Sequence, residues 1–182
     1  MGDTRRAIVL AVGGGIAAYK SAFLCSRLVQ NGHEVRVALT KASLNFVGAS
    51  TFSALSGRSV ATEVFQSDQH PLGAHIELAR GCDLMIVAPA TANLMSRFAL
   101  GLADDLVSTL YLQLRSPVLL APAMSDSMWN KPAVQRNVAC LREDGCHFVG
   151  PSAGWLSCRA SGQGRMSEPN EILEAAEALF NR

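Results

Sequence analysis

The sequence predicts an α/β domain built on a doubly wound parallel sheet with helices on both faces. Short β-rich apolar runs alternate with longer segments of helical spacing, which is the pattern of strands joined by crossover helices. The first such run leads into three consecutive glycines, Gly13 to Gly15, that open a helix. Of 182 residues, 49% are hydrophobic and 17% charged, which suits a sheet buried on both faces or further surface buried against copies of the chain. The length allows one domain with a sizeable core.

The elements follow in order. "AIVLAV", Ala7 to Val12, reads as the first strand, and the glycines form the turn after it. Ile16 to Gln30 carries helical apolar spacing and stops at Asn31-Gly32. "HEVRVALT" is the second strand. Residues 41–57 hold one or two helical stretches that Gly57 breaks. "DLMIVAPA" is the third strand. Residues 91–113 are mostly helical, with an interruption at Gly101. "SPVLLAPAM" is the fourth strand, "NKPAVQRNVACLREDG" a helix with a glycine stop, and "CHFVG" a short fifth strand. Residues 151–168 read as a Gly- and Ser-rich loop, long for a compact domain, and such loops are functional or disordered. An amphipathic helix, "PNEILEAAEALFNR", closes the chain and is expected to be capped near Ser167. One domain covers residues 1–182.

Composition narrows the function. Sixteen basic residues balance fifteen acidic ones, and no basic run stands out, so a nucleic-acid partner is not expected. No apolar stretch approaches transmembrane length, and the start lacks a signal-peptide pattern, so no membrane association is expected. Arg6 stands where a myristoylation pattern wants Ser or Thr. The five cysteines are odd in number and form no CxxC pair, which argues against a metal site or a disulfide framework and for a reducing cytoplasm.

Several motifs bear on chemistry. "GGGIAAYK" lets the backbone approach an anion at a helix start. It is not GxGxxG, and Thr40 ends the second strand where a dinucleotide site would hold an acidic residue, so the pattern points to a mononucleotide. A glycine turn needed only for tight packing is the plainer alternative. In "APATANLMSR", Thr91 and Asn93 offer polar groups at a strand's carboxyl end and the alanines leave room for a flat ring; either residue could instead simply cap a helix. "GAHIELAR" places His75, an acid, base or carboxylate partner, or else an ordinary helix-start histidine. His33, His70 and His147 lack a supporting pattern and read as structural. Cys158 lies among Ser, Gly and Arg, with Arg159 and Arg165 near enough in sequence to lower a thiol pKa; an incidental loop thiol is the alternative.

Taken in order, "GGGIAAYK", "TKASLNF", "HIELAR", "APATANL", "GLADDL", "PAMSDSMWNKP" and "SCRASGQGRM" resemble the homo-oligomeric flavin-containing cysteine decarboxylases over nearly the whole chain. The resemblance implies a three-layer Rossmann/flavodoxin-like fold and an FMN cofactor. It implies FMN-dependent decarboxylation of 4'-phosphopantothenoylcysteine to 4'-phosphopantetheine in coenzyme A biosynthesis. It also implies a homotrimer or a dodecamer of trimers. Many bacterial members are fused to a synthetase, so a stand-alone version is expected here. By the same resemblance Gly14, Gly15, Ile16, Thr40, Lys41, Ala42, Thr91, Ala92, Asn93, Leu94 and Ala123 match flavin contacts. His75 matches the active-site histidine, and Cys158 the proton-donating cysteine of a substrate-covering flap around 151–168.

Two departures stand out. The family motif Pro-x-Met-Asn-x-x-Met-Trp has an asparagine that holds the substrate carboxylate, and Ser125 takes that place. Serine is shorter and offers one hydroxyl instead of an amide. Gly-Asp usually follows the flap cysteine, whereas Arg159 and Ala160 follow Cys158. Two alternatives therefore stay open: a peptidyl-cysteine decarboxylase that forms C-terminal enethiols, and a non-catalytic FMN-binding regulatory homologue.

Overall fold

The structure, a computed structural model, describes residues 5–65 and 68–180. The last residues assigned above to the closing helix, 181 and 182, lie outside the described residues, as do residues 1–4, 66 and 67. In chain order the elements are β1 (Ala7–Val12), α1 (Ala18–Gln30), β2 (Glu34–Leu39), α2 (Ala49–Ser56), β3 (Val60–Ala61), α3 (Ala74–Ala79), β4 (Leu84–Ala90), α4 (Ala92–Leu100), α5 (Leu106–Gln113), β5 (Val118–Pro122), α6 (Asp126–Trp129), α7 (Pro132–Glu143), β6 (His147–Phe148), β7 (Ser152–Trp155), β8 (Ser161–Arg165) and α8 (Pro169–Phe180).

Six strands form one parallel sheet in the order β3-β2-β1-β4-β5-β6. This is the doubly wound order in which the chain reverses direction of growth between β1 and β4. Alternation along β1 divides its side chains between two cores. Ile8, Leu10 and Val12 face one cluster with Leu24 and Leu28 of α1, Phe52 of α2 and Ile172 of α8. Val9 and Ala11 face the other, with Leu94 and Phe98 of α4, Leu110 of α5 and Leu141 of α7. Burying one such leucine contributes about 2 kcal/mol against the cost of ordering it. Every residue of β4 is buried, which explains its unbroken apolar run.

The structure differs from the sequence expectations in four places. The first helix begins at Ala18, because residues 13–17 are used by the turn. A two-residue edge strand, β3, adds a sixth strand too short to read as a pattern. The expected loop at 151–168 folds mostly into an antiparallel hairpin, β7 paired with β8. Its glycines hide it, since strands are normally read from branched and aromatic residues. Finally, α8 starts at Pro169, where the Glu171 carboxylate accepts the Glu168 N–H at 2.7 Å. The Ser167 hydroxyl pairs with Ser152 Oγ instead, at 3.4 Å.

Candidate active site

The carboxyl ends of β1, β4 and β5 open onto two adjoining clefts. The larger, about 640 Å³, is walled by Gly14, Gly15, Thr40, Lys41, Ala42, the run Thr91–Leu94 and Ala123. Ten of the eleven flavin-contact positions expected from the sequence therefore meet in one cleft; Ile16 lines the neighbouring one. The smaller cleft, about 360 Å³, brings Ser125 of the turn after β5 (residues 123–128, the methionine turn) and Cys158 of the hairpin to the same space. The two share Gly15, Ala123 and Met124.

Local structure sets these walls. Gly13 donates its N–H to the Pro89 carbonyl at 3.2 Å. A Cβ at Gly14 would lie 2.4 Å from the Ala42 Cβ, so the turn after β1 can pass the turn after β2 only as glycine. Thr91 caps α4, its Oγ1 accepting the Leu94 N–H at 3.3 Å, while also lining the cleft. The capping reading therefore holds for Thr91. Thr40 is buried, and its hydroxyl donates to the Val12 carbonyl and accepts the Ser43 N–H, each at 3.2 Å. With its one hydrogen committed, Thr40 shapes the cleft wall more than it offers a free donor.

Sequence reasoning missed two features of the clefts. Arg97 and Asp105 line the larger cleft as an ion pair, with Asp104 3.1 Å from a second guanidinium nitrogen. Asp105 also caps α5 through a capping box with Ser108. The "GLADDL" motif carried that signal, an acidic pair just before an apolar run. In the smaller cleft Lys20 is 7% exposed, with Nζ 2.8 Å from Glu168 Oε1 and 3.2 Å from the Met166 carbonyl. Hydrogen bonding from Lys20 is the main reason the Glu168 carboxyl is held below its ordinary range.

The segment "PAMSDSMWNKP", residues 122–132, forms the junction of the site. Ser125 starts the one-turn helix α6, and its hydroxyl lies 3.2 Å from Ser127 Oγ. Cys158 is exposed at the hairpin tip, beside Arg159, whose φ of 62° is left-handed. Cys25, by comparison, is buried in the core, and burial alone pushes its own thiol up to about 11. His75 lies at the start of α3 and lines neither cleft; its Nδ1 is buried with no hydrogen-bond partner. Nearby, Glu77 accepts the Leu72 N–H at 3.0 Å and pairs with His70 Nδ1 at 3.0 Å, which pins the loop before His75. His33 accepts the Arg6 N–H at Nδ1 and meets Glu177 through Nε2 at 2.8 Å, a structural tie to α8.

A flavoprotein family model matches residues 2–181. The chain belongs to the flavoprotein family. Among flavoproteins, it is 45% identical over 175 residues to the coenzyme A biosynthesis bifunctional protein CoaBC of Bacillus subtilis (strain 168), covering 96% of this chain and 43% of that protein. It is 46% identical over 180 residues to the CoaBC of Mycolicibacterium smegmatis, covering 99% and 43%. The chain thus spans less than half the length of these relatives. A solved cysteine-to-serine mutant of a PPC decarboxylase, complexed with pantothenoylaminoethenethiol, superposes with a TM-score of 0.85 at 29% identity over 98% of both chains. The FMN-binding protein AtHal3 matches with a TM-score of 0.82 at 30% identity, over 97% of this chain and 96% of that one. The FMN-dependent cysteine decarboxylase SpaF matches with a TM-score of 0.77 at 28% identity, over 95% and 98%.

Proposed function

We propose that this flavoprotein decarboxylates 4'-phosphopantothenoylcysteine to 4'-phosphopantetheine with FMN as cofactor. The observation that carries this is the pair of adjoining clefts: a nucleotide-sized one floored by the glycine turn, and a smaller one holding Ser125 and Cys158. The residues present fit a flavin. Gly15 presents bare backbone to the cleft, with Thr91 Cγ2 3.7 Å from where a Cβ would stand, and Ala92 and Ala123 leave flat wall area beside the polar side chains of Thr91 and Asn93. The names of the CoaBC relatives and of the PPC decarboxylase neighbour support the same reading.

FMN, when bound, supplies reversible two-electron oxidation of the substrate's cysteine end. The chain's own residues do the rest. The Ser125 hydroxyl donates to the substrate carboxylate and orients it until CO2 leaves. The Cys158 thiol, carried over the cleft by the hairpin flap of residues 151–168, gives a proton to the resulting enethiol as it is reduced. His75 acts as base or carboxylate partner. Because it lines neither cleft of its own chain, a homotrimer, or a dodecamer of trimers, supplies it from a neighbouring copy; light scattering of the purified protein tests this. No described helix is long and apolar enough to cross a membrane, and the chemistry is that of a cytoplasmic enzyme.

A second reading has a specific observation behind it. Ser125 replaces the family asparagine, and SpaF is named a cysteine decarboxylase. A peptidyl-cysteine decarboxylase needs no flap cysteine, so Cys158 in the cleft favours the small phosphorylated conjugate. Comparing kcat/KM for 4'-phosphopantothenoylcysteine with that for a peptide ending in cysteine separates the two. A preference of about a hundredfold or more for the small conjugate is expected. The opposite preference rejects the proposal.

A further inference from the structure

Asp126 has no part in the chemistry above, yet the hairpin is built around it. The strand β8 lies on the methionine turn through two hydrogen bonds. Met124 donates its N–H to the Gly164 carbonyl at 2.9 Å. Gln163 donates its N–H to Asp126 Oδ1, also at 2.9 Å. On either side of Gln163 the fit is too tight for any side chain. A Cβ at Gly162 would lie 2.7 Å from the Asp126 Cβ and 2.9 Å from Oδ1. A Cβ at Gly164 would lie 2.3 Å from the Met124 oxygen. The Cβ positions of both glycines point at the turn, so Gly162 and Gly164 form one flat strip pressed on it. The neighbouring serines do not compete for the carboxylate, since Ser125 Oγ and Ser127 Oγ face each other.

We propose that Asp126 is a positioning residue that sets where the hairpin holds Cys158 over Ser125. At its contact with the turn, the single backbone bond from Met124 to Gly164 would let the hairpin swivel, since the Arg165–Glu168 pair holds only its base. The second bond, to a side chain on α6, removes the swivel and fixes the direction in which the hairpin leaves the turn. Ser125 is the residue before Asp126 in the chain, so the substrate-facing hydroxyl and the flap are registered by adjacent residues. The cleft's role as the substrate site rests on the function proposed above; the pinning itself does not.

The test uses the purified full chain, first without substrate. In Asp126→Ala, hydrogen exchange at the Gln163 amide is expected to rise about tenfold, the loss of one charge-assisted bond, with amides of β1 and β4 unchanged. Asp126→Asn keeps an acceptor oxygen and is expected to restore slow exchange. With 4'-phosphopantothenoylcysteine, Asp126→Ala is expected to raise KM several-fold, and Asp126→Asn to return it near wild type. Gly162→Ala, which leaves the carboxylate intact but crowds the strip, is expected to repeat the Asp126→Ala result. Unchanged Gln163 exchange in both Asp126→Ala and Gly162→Ala would overturn the pinning. Fast exchange with unaltered kcat and KM would overturn the positioning role. A wild-type protein without turnover would reject the proposed function, while the exchange comparison would still decide the pinning.

Discussion

The ammonium of Lys20 joins α1 to the far end of the hairpin, lying 2.8 Å from the carboxylate of Glu168. Arg165 of β8 meets the same oxygen at 2.6 Å. The wall of the smaller cleft, the last flap strand and the lead-in to α8 thus share one carboxylate. Glu168→Gln leaves the buried Lys20 ammonium with the Met166 carbonyl, 3.2 Å away, and no charged partner at that site. Because Glu168 is itself half-exposed, the expected loss is modest, about 1–2 kcal/mol in urea unfolding.

The same carboxylate contributes to acid sensitivity. Glu168, Glu34 and Glu77 are all held below an ordinary value of 4.5, by hydrogen bonds from Lys20, Arg36 and the Leu72 N–H respectively. A group whose folded pKa is depressed contributes stability above its unfolded value and loses it as pH falls through the folded value. Thermal stability is therefore expected to decline below about pH 4.5, and to decline less steeply in Glu168→Gln. Parallel melting curves of the two proteins from pH 6 to pH 3 check this.

Gly14 makes the larger cleft testable without turnover. Its missing Cβ would sit 2.4 Å from Ala42, so Gly14→Ala must push the two turns apart. Overpacking of this kind costs about 1–3 kcal/mol of fold stability, and moving the two turns apart displaces the cleft wall they form. FMN affinity, followed by quenching of flavin fluorescence, is expected to fall about ten- to hundredfold.

Ser125 and Cys158 separate two halves of the proposed reaction. Ser125→Ala is expected to lower kcat/KM about tenfold through loss of a bond to a charged group, and Ser125→Asn to raise it above wild type. Cys158→Ser is expected to release CO2 but to stop at the enethiol, seen as a product lighter by two hydrogens. Full reduction by Cys158→Ser would assign the proton to another group.

Arg159 holds a left-handed φ of 62° beside that cysteine. A non-glycine residue there costs about 1–2 kcal/mol. Arg159→Gly is expected to slow hydrogen exchange across the hairpin tip of the substrate-free protein; faster exchange there would contradict strain at this position.

Most of the architecture was legible because it is written in burial. The apolar runs of β1, β4 and β5, and the glycine stops at Gly57, Gly101 and Gly145, mark their elements directly. The hairpin was not legible, because Gly162 and Gly164 are there for contact with Asp126 and Met124, not for strand propensity. Lys20 is illegible in the sequence for a related reason. Its partners, Met166 and Glu168, are nearly 150 residues away in sequence. The cleft positions were found through their order along the chain, whereas the place of His75 outside both clefts follows from a tertiary arrangement that no local pattern encodes.

The most direct test of the central claim is anaerobic incubation of the purified, FMN-loaded protein with 4'-phosphopantothenoylcysteine, following CO2, product mass and the flavin spectrum together. Stoichiometric CO2 and 4'-phosphopantetheine are expected, with the flavin returned to its oxidised spectrum. Yellow protein that releases no CO2 would contradict the claim, and would mean that serine at position 125 has turned the site toward another substrate or toward regulation.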